Sequence, residues 1–404
     1  MSVSILASAE FFIRWQSTDA RHTDHEYFAA VDFWHDSFPD DLGERLQAAG
    51  PGVPLETITP AGRLIPGVSA SACHDLPRRG IDKAFAARHL PGPFRGRFYP
   101  RGWLADGATA LGGIFKGDMQ PFRVAGLSDE CVQIDLNHPL AAYPLMVGGD
   151  ICEILADHEQ HGGRCNDIVA DIACQGSGMQ CRPAEGDVDF IHPGAFARED
   201  PSTDTDFYRT PRLVQHIDAR AREIINRLYR RSIAPDVRVL DLMSSWVSHL
   251  DGIADSITVS GLGMNSAELA ENPRLADYVV RDLNREPRLP YADGIFDVVV
   301  CSVSVEYLVS PFEVFTEVAR VLKPGGRCIV TFSDRWFLPK VIRLWTELHP
   351  FERMGLVLEY FRRSGLFAGL ATESWCGWPR PQDDKYYPQR RTADPVFAVS
   401  GQRR

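Results

Sequence analysis

Four stretches of this 404-residue chain set polar side chains directly after apolar runs, the pattern of a ligand site built at strand ends. The run Val237-Arg238-Val239-Leu240 leads into Asp241-Leu242-Met243-Ser244-Ser245, a carboxylate followed by two hydroxyls. Ile257 to Leu262 leads into Gly263-Met264-Asn265, Tyr278 to Val280 into Asp282-Leu283, and Phe296 to Val305 into Glu306-Tyr307. Hydroxyls and free backbone N–H groups at a helix N-terminus, as Ser244 and Ser245 would present, suit an anionic group. A fifth stretch, Phe207-Tyr208, Pro211-Arg212 and His216-Ile217-Asp218, holds a phenol, an imidazole and a carboxylate that can take part in proton transfer. Packing and helix capping are the competing roles for Tyr208, His216 and Asp218. Trp246 and His249 beside the serines either shape a pocket or belong to the core.

A sixth group, His158, His161, Cys165, Cys174, Cys181 and His192, falls in a run from Asp157 to Asp206 rich in Gly, Asp, Cys, Pro and His. His-x-x-His followed by Cys is competent for Zn2+ or Ni2+. No Cys-x-x-Cys knuckle is present, however, and the plainer reading is incidental thiols and no metal site. Cys165 as a reactive thiol is the lesser alternative.

The elements that must position these groups fall into two patterns. Before residue 157 the apolar periodicity is that of short strands, at Phe11 to Trp15, Phe122 to Ala125, Val132 to Asp135 and Leu145 to Leu155. The one clear helix there is Phe38 to Ala48, so a mainly-β α+β domain is expected. After residue 206 strands and helices alternate. A helix over Arg212 to Arg230 precedes the first strand, further helices fall at Ser266 to Ala270 and Pro311 to Leu322, and Arg327 to Ser333 is a buried strand. Pro324 ends the last of these helices, and Gly325-Gly326 permit the reversal into that strand. Repeated β-α-β order implies an α/β Rossmann-like domain with a doubly wound, mostly parallel sheet. The expected organisation is therefore residues 1–156, a connector over 157–206, and a second domain over 207–404.

The stretch LPYADGIFDVVVCSVSVEYLVSPFEVFTEVARVLKPGGRCIVTF resembles class I S-adenosylmethionine (SAM) methyltransferases of the type 11 sort. The motif LDLMSSWVSHL, preceded by FY…PR…HID, resembles a methyltransferase-like family that shares both. The resemblance implies SAM as cofactor, held by Asp241, Met243, Ser244, Ser245, Gly263, Asn265, Asp282 and Leu283. Asp241 stands at the family's acidic position, but the usual Gly-x-Gly-x-Gly loop is missing after it. The carboxylate that would meet the ribose hydroxyls falls on Gly263, leaving Asn265 as the nearest polar substitute. Asp282-Leu283 fits the place where a carboxylate meets the adenine amino group. Tyr208, His216 and Asp218 would lie on the segment covering the cleft, and the methyl acceptor, small molecule or protein, is not identified. A scaffold that has lost its cofactor is the other reading.

The segment GIFKGDMQPFRVAGLSDECVQIDLNHPLAAYPLMVGGDICEIL resembles FKBP-type prolyl isomerases of the SlyD-like branch, through Asp135-Leu136-Asn137-His138-Pro139-Leu140-Ala141 and the long strand after it. There the turn closes an accessory flap and returns the chain to a half-barrel, and Arg97 to Leu104 resembles the segment entering the flap. Isomerisation needs converging aromatics, for which Phe12, Trp15, Tyr99 and Trp103 are the candidates. A substrate-recruiting module is favoured over an active isomerase or chaperone.

The formal net charge of −11 argues against nucleic acid and anionic membranes as partners. Arg220, Arg222, Arg227, Arg230 and Arg231 read as the solvated face of a helix. No run approaches the roughly 20 apolar residues of a membrane helix, and MSVSILASAEFFIRW lacks the flanks of a secretory signal. A cytosolic protein with nine reduced cysteines is expected.

Overall fold

The computed structural model describes residues 4–105, 111–158, 165–174, 182 and 186–404. Alternating burial builds the first strands. In β1 (Ser4–Gln16), Ile5, Ala7, Ala9, Phe11, Ile13 and Trp15 all point to one side and are buried. β1 pairs antiparallel with β2 (Ala20–Asp32) in a hairpin. The helix α1 (Leu42–Ala49) covers the same face through Leu42 and Leu46 and leads into β3 (Leu55–Thr59).

Between β3 and the strand that follows it in the sheet, the chain makes a separate small unit. It comprises β4 (Cys73–Pro77), α2 (Arg78–Ala86), β5 (Phe98–Pro100), β6 (Pro121–Leu127) and β7 (Cys131–Asp135), paired antiparallel in the order β4-β7-β6-β5. Ile81, Phe85, Tyr99, Phe122 and Val132 form its core. Asn137 ties its two ends together. The Asn137 amide accepts from Ser69 N at 2.8 Å and donates to Ser69 O at 3.0 Å and to Asp135 Oδ1 at 2.8 Å. His138 Nδ1 accepts from Leu140 N, which starts the turn into the 14-residue β8 (Leu145–His158). Arg97 to Leu104 lies inside this unit, on β5 and the turn after it, rather than at its entrance.

The segment 157–206 is shared between two cores. Its helix α3 (Ile168–Ala173) buries Ile168, Val169 and Ile172 against β1, capped by Asp167, whose side chain accepts from Ala170 N. Phe190 and Ala195, further along, belong to the core of the second half.

That second half begins with the short α4 (Asp204–Phe207) and α5 (Ala219–Ser232). The helix expected from Arg212 starts seven residues later, because Asp218 takes the N-cap position and its side chain accepts from Ala221 N at 3.0 Å. The arginines of α5 lie away from Ile224, Ile225 and Leu228, which are buried. There follow β9 (Arg238–Ser244), β10 (Thr258–Gly263), α6 (Ser266–Ala270), β11 (Asp277–Val280), β12 (Phe296–Ser302), α7 (Pro311–Val321) and β13 (Leu322–Phe332). The turn expected at Lys323 to Gly326 falls inside β13, as a bulge where the register with β12 jumps from Phe296↔Leu322 to Val298↔Arg327. Gly325 takes φ +76°, and a Cβ on Gly326 would sit 2.9 Å from Asp297 O. The chain closes with α8 (Arg343–Glu347), α9 (Pro350–Ser364), β14 (Phe367–Cys376) and β15 (Val396–Arg403).

One sheet runs through both halves in the order β11-β10-β9-β12-β13-β15-β14-β2-β1-β8-β3. β11 to β13 are parallel, β15 is antiparallel to both its neighbours, and β14 pairs parallel with β2 from Leu370↔Ala20 to Cys376↔Glu26. Pairing removes the exposed edge that either sheet would otherwise carry. The join is polar and buried: His22 Nδ1 lies 2.7 Å from Thr372 Oγ1, and Ser374 Oγ donates to Asp24 at 2.6 Å. Burial holds the His22 imidazole down to about 3, so it is neutral there. Among the described residues, no helix is long and apolar enough to cross a membrane.

Candidate functional site

The parallel strands β9, β10 and β12 all end on one side of the sheet, and the site lies there. β9 ends in an irregular register against β10, between Leu262 and Gly263. Met243 takes φ +59°, a left-handed conformation that a non-glycine residue adopts at a cost of about 1–2 kcal/mol. The backbone bend that a glycine would make easily is therefore kept by a methionine held in place by its surroundings. Gly263 is required for a different reason. A Cβ there would fall 2.1 Å from Ser244 O, so the two strand ends approach too closely for any side chain.

This bend and close approach open a cleft at the strand ends. Met243, Ser244, Ser245, Gly263, Asn265, Asp282 and Leu283 line it, together with Tyr208 and His216 from the segment before α5. Asp282 accepts from Asn284 N through Oδ1, which steadies the carboxylate at the end of β11. Ser244 Oγ donates to Asp241 at 2.6 Å, and Ser245 Oγ donates to Glu268 at 2.6 Å. Asp241 lies behind the serines and lines a neighbouring cleft. Burial pushes its carboxyl up to about 7, against the opposing pull of Ser244 and Ser248.

Two expected roles change. Asp218 is no part of the cleft. Its carboxylate caps α5 and lies 3.4 Å from the buried Arg380, while Asp218 N donates to Asp394. Asn265 does line the cleft, but both ends of its amide are engaged. Oδ1 accepts from Ala267 N and Glu268 N, and Nδ2 donates to Tyr208 O at 2.8 Å and Arg209 O at 3.1 Å. Asn265 thus caps α6 and ties down the covering segment, which limits what it can offer a ribose.

The sequence reading missed Glu268, one turn into α6, which lines the cleft and accepts from Arg212 N at 2.7 Å. Its helical spacing from Asn265 was the available signal. Also missed was Arg212, whose guanidinium rests over the rings of Phe207 (4.5 Å) and Phe337 (5.3 Å). Asn284 ties the floor together, donating to Asp204 at 2.8 Å and to Tyr307 O at 2.9 Å.

Of the remaining candidates, Trp246 and His249 line the neighbouring cleft, and burial takes the His249 imidazole down to about 4. Glu306 is buried behind the wall, where desolvation raises its carboxyl to about 8 and no other described residue donates to it. In the N-terminal half the four aromatics do not converge. Trp15 stacks on His22 in the main core and Phe12 lies against His25, whereas Tyr99 and Trp103 pack on Phe85 in the inserted unit. In the segment 157–206, Cys165 donates to His35 O and His192 lies 2.9 Å from Glu347, on separate cores. His161 and Cys181 lie outside the described residues.

Residues 251–330 match a family model described as a methyltransferase domain. Among curated proteins, the chain is 31% identical over 113 residues to a demethylmenaquinone methyltransferase of Beutenbergia cavernae, covering 26% of this chain and 47% of that protein. It is 30% identical over 95 residues to a malonyl-[acyl-carrier protein] O-methyltransferase of a Marinomonas species, covering 22% and 34%. The chain therefore spans less than half the length of these relatives. A solved TehB-like SAM-dependent methyltransferase from Corynebacterium glutamicum aligns at 17% identity over 45% of this chain and 87% of that one, with a TM-score of 0.29. The matched stretch takes in β10 to β12 and α6, which supply Gly263, Asn265, Glu268, Asp282 and Leu283 to the cleft, and begins after β9. The parallel half thus contains a stretch that matches a methyltransferase domain, and S-adenosyl-L-methionine is the cofactor that the match indicates.

Proposed function

We propose that the protein is a SAM-dependent methyltransferase whose cofactor site is the cleft at the ends of β9, β10 and β11. The observation that carries this reading is that Met243 to Ser245, Gly263, Asp282 and Leu283, drawn from three separate strand ends, line one cleft. When bound, SAM supplies an electrophilic methyl group. Asp282 presents a carboxylate to the adenine amino group, with Leu283 beside it. Glu268 replaces the missing carboxylate after β10, since each of its oxygens keeps a lone pair for a ribose hydroxyl beyond the bond it already accepts. The guanidinium of Arg212 faces the carboxylate of the cofactor, while the hydroxyls of Ser244 and Ser245 stay committed to Asp241 and Glu268. His216 serves as the proton acceptor: partial burial, with the cations of Arg212, Lys385 and Arg335, holds its pKa below the ordinary value. Tyr208 positions rather than titrates, because burial raises its hydroxyl far above neutral pH. The acceptor is a small molecule or protein, and neither nucleic acid nor membrane is a partner.

Ligand-linked stability tests this reading. S-adenosylhomocysteine at about 100 times its Kd raises stability by about 2.7 kcal/mol in the wild type, and the gain in melting temperature disappears in Asp282→Ala. An unchanged gain in that variant contradicts the assignment.

For the N-terminal half, the inserted four-stranded unit closed by the Asn137 turn supports an FKBP/SlyD-like module. Of the four candidate aromatics, Tyr99 and Trp103 pack together in that unit while Phe12 and Trp15 lie in the main sheet, which supports substrate recruitment rather than isomerisation. Micromolar protein is expected to leave the cis–trans rate of a proline test peptide unchanged; acceleration would favour the isomerase.

A further inference from the structure

A second cleft opens beside the first and shares with it His216, Met243, Ser244, Ser245, Tyr307 and Phe337. We infer that this second cleft is the acceptor site and that it takes a planar hydroxyarene carrying a carboxylate. The inference rests on the methyltransferase reading above, for it places the reacting hydroxyl at the junction of the two clefts.

Three features of the lining select this chemistry. The walls are flat and aromatic. Trp246, Trp336 and Phe337 line the cleft, and Tyr307 stacks on Phe337 with ring planes 28° apart. Such faces favour a flat π-system over a flexible chain. The second feature is charge. Arg335 lines the cleft, its guanidinium 4.6 Å from the centre of the Tyr386 ring and hydrogen-bonded to that residue's side chain, with Asp334 and Asp241 also in the lining. A guanidinium whose bound partner is a phenol keeps further donors for a planar, bidentate carboxylate. The third is His216, whose ring meets Phe337 edge-on at 5.1 Å and lines both clefts. A neutral imidazole there accepts the proton of an acceptor hydroxyl, and the nearby cations favour the resulting oxyanion.

The step balances as follows. The hydroxyl proton passes to a ring nitrogen of His216, the aryl oxygen forms a bond to the methyl carbon, and the sulfur–methyl bond breaks with its electron pair returning to sulfur. Aryl methyl ether, S-adenosylhomocysteine and imidazolium are the products, with no oxidant or reductant needed. Val214 and Leu338, 52% and 61% exposed, form an apolar rim at the mouth that tolerates ring substituents.

The test is binding of 3-hydroxy-2-naphthoate and of 2-naphthol to the full chain, followed by calorimetry and by the absorbance of the bound ring, with S-adenosylhomocysteine binding measured alongside. Hydroxynaphthoate binds the wild type, and Arg335→Gln weakens it at least about tenfold while changing 2-naphthol affinity less than about twofold. Bound 2-naphthol shifts toward the naphtholate spectrum in the wild type, and the shift is lost in His216→Gln. No binding of either arene by a protein that does bind S-adenosylhomocysteine overturns this inference. Arene binding without S-adenosylhomocysteine binding instead overturns the cofactor reading. Equal weakening of both probes by Arg335→Gln overturns the carboxylate assignment.

Discussion

Gly263→Ala is expected to lower both stability and cofactor affinity, because it forces apart the two strand ends that make the cleft. The added Cβ would lie 2.1 Å from Ser244 O and 3.1 Å from Leu269 Cδ2. The nearer of these is backbone, so no side-chain rotation relieves the contact. Overpacking of this kind costs about 1–3 kcal/mol, and β9 or β10 must shift to accommodate it. Ser244 and Ser245 move with β9, and Asn265 and Glu268 move with the start of α6. A displacement of about 1 Å in groups that must meet one ligand can cost on the order of 100-fold. Chemical denaturation together with titration of S-adenosylhomocysteine checks both parts. Stability and affinity equal to those of the wild type would show that the strand ends do not form the site.

The second large effect concerns how the inserted unit is held to the second half of the chain. Arg97, on the strand side of the insert, and Glu352, in the first turn of α9, are both buried, with Nε and Oε1 2.9 Å apart. Phe98 N also donates to Glu352 at 3.0 Å, and His349 Nδ1 lies 3.0 Å from the other carboxylate oxygen. Burial alone would raise the Glu352 carboxyl, but Arg97, His349 and Phe98 N outweigh it and hold it at about 2. Glu352→Ala leaves the Arg97 guanidinium buried without its counter-charge, at a cost of about 3–5 kcal/mol. The folded-state pKa lies below the ordinary value, so the stabilisation is fully present above about pH 4.5 and is lost as the pH falls toward about 2. Urea melts at pH 7 and pH 3 check this. The gap between wild type and variant narrows at the lower pH, and an equal gap at both would contradict the ionic origin.

Much of the second half was legible in the chain because parallel strands buried on both faces leave continuous apolar runs. Phe296 to Ser302 and Arg327 to Phe332 are such runs, and Pro324 with Gly325 and Gly326 forms a bulge early in the second strand. Met243 to Ser245, Asp282 and Leu283 are assigned through the family resemblance, and the structure brings them to one end of the sheet, as residues after parallel strands are. The role of Asp218 did not follow. An Asp that caps a helix and an Asp that reacts look alike in sequence, and only the bond from Ala221 N separates them. Glu268 was hidden for a related reason: the expected carboxylate was sought at the strand end, whereas α6 brings one back to the cleft a turn later. The joining of β14 to β2 was not legible at all. It is made by backbone groups some 350 residues apart, with partners such as Thr372 and His22 that carry no periodic signal of contact.

The central claim is that a cleft without the usual glycine loop binds SAM, and calorimetric titration of the purified chain with SAM and S-adenosylhomocysteine tests it most directly. One site per chain with micromolar or tighter affinity for both ligands is the predicted result. No heat and no binding for either ligand, by a protein shown to be folded, would contradict it and leave the parallel half as a scaffold.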